Sequence, residues 1–66
     1  MHELMTDKDR EIVENVLVEI LVLAMKSSDH IRPWITELAI GLTSCLDEEQ
    51  VNRAKKYAKF RATASK

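Results

Sequence analysis

At 66 residues with a single cysteine, the chain makes at most one domain and holds no internal disulfide framework and no cysteine-rich zinc site. Its formal net charge of −1 makes the chain near neutral overall, so any nucleic-acid footprint rests on a local basic segment. The lone thiol and the acidic, signal-free start point to a reducing, cytoplasmic setting.

Size also limits stability. Area scaling for 7.6 kDa gives roughly 4,300 Å² exposed when folded against about 11,000 Å² unfolded. With about 60% of the difference apolar, burial contributes on the order of 100 kcal/mol. Ordering the chain costs about the same at roughly 1.5 kcal/mol per residue. A single copy therefore comes out near balance, and an interface with another copy is the simplest further source of stability.

One glycine, one proline and no strand-like alternation make the chain all-α: a small three-helix unit, completed by homodimerisation through its first helix. Residues 1–66 form one helical domain. The first helix is expected over about 7–26, where Thr6 and Asp9 make a capping box with Asp in the usual Glu/Gln position. Ten of its residues, Val16 to Met25, contain only one polar side chain, Glu19. At about 100° per residue those apolar positions point nearly all round the helix, which demands burial from more than one side. Lys8, Asn15, Glu19 and Lys26 fall within about 40° of one another and define a narrow solvent stripe. Val18, Leu21, Val22 and Met25 are therefore expected at or near a contact between two copies. The run is too short for a membrane span.

Ser27, Ser28 and Asp29 form a polar break. Pro33 suits a first helical turn, placing the second helix over about 33–45. Trp34, Ile35, Leu38, Ala39, Leu42, Cys45 and Leu46 cover one arc of about 140°, expected to be packed. Gly41 borders it, where the missing side chain permits close backbone approach. Ile40 sits on the opposite side.

Asp47 and Gln50, with Glu48 and Glu49 in the first turn, start the third helix, expected over about 48–62. Val51, Ala54, Ala58 and Ala62 make a thin apolar stripe. From Asn52 onward there are six bases and no acid. That asymmetry suits the helix dipole, or an anionic partner of the tail. Arg53, Lys55, Lys56, Tyr57, Lys59, Phe60 and Arg61 form the one candidate partner or nucleic-acid surface, with bases on phosphates and rings stacking. The commoner reading has both rings covering the first helix while the lysines keep the exterior soluble.

Reactive motifs fail one by one. His2-Glu3 begins a zinc-protease pattern, but Thr6 stands where the second histidine belongs. Asp7 and Asp9 begin a calcium loop, but Ile12 replaces its glycine. His30 beside Asp29 lacks a third partner, and Cys45, expected to be buried, lacks a base. No cofactor or metal is expected. The chain reads as a non-enzymatic protein that self-associates, a dimer being favoured, and serves a protein partner as adaptor, inhibitor or regulator. The alternative is a nucleic-acid-binding regulator using the basic third helix.

Overall fold

The computed structural model describes residues 5–64; the His2-Glu3 pair lies outside them. Three helices follow in order: α1 (Asp7–Lys26), α2 (Arg32–Thr43) and α3 (Glu48–Ala64). No helix among the described residues is long and apolar enough to cross a membrane.

Local chemistry accounts for the helix ends. The Asp9 amide donates to Thr6 Oγ1 at 3.1 Å and the Thr6 amide to Asp9 Oδ2 at 3.2 Å, a complete capping box with the shorter acid. Ser27 ends α1, its hydroxyl donating to the Leu23 carbonyl. Arg32 then reaches back from the start of α2. Its Nε donates to the Ala24 carbonyl at 3.1 Å, which also accepts the Ser27 amide, and its Nη2 donates to the Ser27 carbonyl at 2.6 Å, so one guanidinium serves the carbonyls at the helix end.

The second helix begins one residue earlier and ends two residues earlier than the sequence predicts. Ile31 precedes it without a side-chain cap. At its far end the Thr43 hydroxyl donates to the Ile40 carbonyl and the Ser44 hydroxyl to that of Gly41, both at 2.7 Å. Such short-range bonds offer the backbone an alternative to helix, and the chain tightens there into two i→i+3 turns. At the next boundary the Asp47 amide donates to Gln50 Oε1 at 3.3 Å.

Both α2 and α3 pack on α1 and scarcely touch each other. The core is accordingly thin. Leu17, Val18 and Val22 of α1 meet Ala39 of α2 and Ala54 and Ala58 of α3, with Ile20, Leu21, Leu42 and Leu46 at the margin. Alanines on α3 let that helix lie close against its neighbour. The Cα envelope measures 37 × 24 × 16 Å and the radius of gyration is 12.2 Å, against about 10.8 Å for an average chain of this length.

Candidate interaction surfaces

A polar seam joins α1 to α3. Glu14 accepts two bonds from Arg53, Nε to Oε2 at 2.7 Å and Nη2 to Oε1 at 2.9 Å, and a third from Gln50 Nε2 at 3.3 Å. The Arg53 hydrogen bonds draw the Glu14 carboxyl below its ordinary pKa; partial burial opposes this, and Gln50 assists. Farther along, Arg61 Nη1 donates to Glu19 Oε2 at 2.6 Å, and the Arg61 pKa is raised. Asp7, Arg10, Glu11 and Asp47 complete an open cleft of about 370 Å³ beside Glu14. Within it Arg10 lies 4.0 Å from both Asp7 and Asp47, and Arg53 holds Glu14.

The α3 candidates do not form one continuous surface. Arg53, Lys56, Tyr57 and Phe60 surround a shallow hollow of about 250 Å³ on the outer side of the helix. Lys55 and Lys59 are exposed but do not line it. Arg53 and Arg61 turn their guanidinium groups to the acids of α1. Tyr57 and Phe60 do not cover the first helix: they stand 59% and 68% exposed, because alanines already fill the α1–α3 contact and leave the rings no room there.

The apolar residues of α1 divide differently from expectation. Val18 and Val22 are buried in the chain's own core, out of reach of a second copy unless the core unpacks. Leu21 is half-buried and Met25 is 45% exposed. The other aliphatic side chains that α1 leaves open are Ile12, Val16 and Leu23, all within about 40° of one another. They lie next to the predicted solvent stripe of Lys8, Asn15, Glu19 and Lys26, which is exposed throughout.

The arc on α2 splits in the same way. Ile35, Leu42 and Leu46 are half-buried and Ala39 is buried, whereas Trp34, Leu38 and Cys45 are exposed. Only one neighbour, α1, is available, and it covers half of an arc of about 140°. Cys45 is thus an exposed thiol and not the buried one expected. Gly41 has nothing within 4 Å of where a Cβ would stand, so no backbone approaches it. The Asp29 carboxylate is held by Arg32 Nη1 at 2.6 Å. Among the described residues, no group of three or more His, Cys, Asp or Glu side chains is placed to hold a metal ion.

Comparison with protein-family models, curated proteins and solved structures finds no match to this chain. Two features escaped the sequence reading: the Arg32 clasp on the end of α1, and the open Ile12–Val16–Leu23 stripe. The stripe was legible as spacing alone, but Val16 and Leu23 sit inside a run that is apolar all round.

Proposed function

We propose that the protein is a non-enzymatic helical interaction protein that self-associates, a dimer being its smallest assembly, and presents helical surfaces to a protein partner as an adaptor, inhibitor or regulator. One observation carries this reading: among the described residues, ten large apolar side chains, spread over all three helices and the residue before α2, are 43–73% exposed. So much exposed apolar surface on a chain this small supports an interaction role, and covering it adds to a stability that size keeps small. The charged seam supports the same reading, since its acids and arginines are engaged in holding α3 to α1. Sedimentation equilibrium at micromolar concentration is the test. A dimer mass is expected, and a monomer mass throughout that range would remove the proposal.

A second reading, contact with DNA or RNA through α3, draws support from Tyr57 and Phe60 standing open beside Lys56. It is the weaker reading, because Arg53 and Arg61 are already occupied by Glu14 and Glu19. Binding at about 50 mM salt that disappears in a Lys55→Glu/Lys56→Glu variant would favour it.

A further inference from the structure

We infer that the outer face of α3, where Tyr57 and Phe60 stand open beside Lys56 and Lys59, takes an acidic peptide segment that carries apolar side chains. The inference rests on the protein-partner reading proposed above and deepens it by naming the surface and the chemistry of its occupant.

Positive charge on α3 is left over once the fold is made. Between Asn52 and Ala64 stand five bases, Arg53, Lys55, Lys56, Lys59 and Arg61, and no acid. The first helix answers two of them, Glu14 holding Arg53 and Glu19 holding Arg61. Lys55, Lys56 and Lys59 are exposed and form no ion pair among the described residues.

The open rings lie against that charge. Phe60 follows Lys56 by four positions and Tyr57 follows Arg53 by four, so these side chains form two neighbouring stacks around the hollow of about 250 Å³. At about 100° per residue, Lys55, Lys59 and Lys56 span about 100° of the helix, and the rings begin about 40° beyond Lys56. The outer face is thus an aromatic strip with a cationic flank.

Each feature narrows the occupant. Ammonium groups attract carboxylates or phosphates, while a hollow walled by two rings suits an aliphatic or aromatic side chain. It is smaller than the roughly 300–1,000 Å³ of a small-molecule site. The three lysines cover about 6 Å along the helix axis, at about 1.5 Å per residue. A groove that tracks a single nucleic-acid strand runs over about 4–16 nucleotides, at least twice that length at about 3.4 Å each. Alternate side chains on one face of an extended peptide repeat at about 7 Å, which matches the lysine spacing. Exposed ion pairs add little affinity each, so the lysines select the partner and the rings supply most of the binding.

Fluorescence anisotropy with a fluorescein-labelled peptide repeating Glu-Leu-Asp-Phe tests this in about 50 mM salt. The wild-type chain is expected to bind it at least about tenfold more tightly than the same peptide with Gln and Asn replacing the acids. It is also expected to prefer this peptide to labelled polyglutamate and to oligothymidylate. Phe60→Ala, which keeps the charge, and Lys56→Gln/Lys59→Gln are each expected to weaken binding at least about tenfold. Thr36→Glu/Ile40→Glu lowers the net charge equally, but on α2, and is expected to leave binding within about threefold. Circular dichroism checks that each variant folds; should Phe60→Ala unfold, the lysine variant decides. Failure of the wild-type chain to bind the Glu-Leu-Asp-Phe peptide, or binding that both α3 variants leave unchanged, overturns the inference and leaves self-association standing. Tighter binding of oligothymidylate overturns it in favour of nucleic acid, and tighter binding of polyglutamate in favour of charge alone. A dimer lost in Phe60→Ala, seen by sedimentation, overturns it by giving the face to a second copy. A wild-type monomer that binds the peptide removes self-association and supports this face.

Discussion

Arg53 grips Glu14 side-on through its Nε and Nη2, tying the middle of α1 to the first turns of α3 across 39 residues of sequence. The Glu14 side chain is 15% exposed and that of Arg53 is 62% exposed, so the carboxylate sits in the seam while the guanidinium covers it from outside. Two parallel bonds fix direction as well as distance, which a single ammonium does not.

The acid limb of stability is expected to report this pair. Glu14 has a lower pKa folded than unfolded, so protons bind the unfolded chain more readily. Its contribution is complete above the unfolded value and disappears as pH falls through the lowered folded value. Thermal melts from neutral to acid pH are expected to show that loss, and Glu14→Gln to be less stable at neutral pH with a flatter acid limb. An unchanged limb in Glu14→Gln would take the pair out of the account. Arg53→Lys is expected to lower the melting temperature as well, since one ammonium cannot replace the fork.

Among the described residues, Leu17 is the only large side chain with no exposed surface. Leu17→Ala is expected to cost about 2–5 kcal/mol, because α2 and α3 barely meet and cannot close over the space left between them. A domain of this length typically holds roughly 3–10 kcal/mol in total. Urea denaturation should therefore show most of the stability gone, and a loss below about 1 kcal/mol would contradict the packing described.

Ala58 has no exposed surface either, and its small size sets how near α3 comes to α1. Ala58→Leu keeps a good helix former and adds volume where none is free. The expected cost is about 1–3 kcal/mol in the urea midpoint. Retained stability would mean that the two helices can move apart without loss.

Gly41 lies inside α2 with open space where its Cβ would be. Gly41→Ala is expected to stabilise the chain by about 0.5–1 kcal/mol in dilute solution, by restricting the unfolded backbone and favouring helix. A loss of stability would show that something approaches this position after all.

Much of the architecture was legible along the chain. The first helix starts after Thr6 and ends at Lys26 as its capping box and polar break predict, and α3 begins at Glu48 as Asp47 and Gln50 predict. These are contacts over three or four residues, and no distant group is needed to form them. The end of α2 was harder to place, because the Thr43 and Ser44 hydroxyls compete for carbonyls that helix periodicity alone assigns to amides.

Periodicity reports which positions share a helix face, and so it marked α1 as the most enclosed element and picked out Val51, Ala54, Ala58 and Ala62 as the packed stripe of α3. Whether an apolar arc is covered depends on how many neighbours reach it. That depends in turn on α2 and α3 both choosing α1 and leaving each other alone. Tertiary packing alone therefore decided that Val18 and Val22 go inside while Ile12, Val16, Leu23 and Trp34 stay open. It also turned Arg53 and Arg61 toward Glu14 and Glu19. The physical reason is range: helix formation is governed by bonds a few residues long, and burial by residues about twenty to forty positions away.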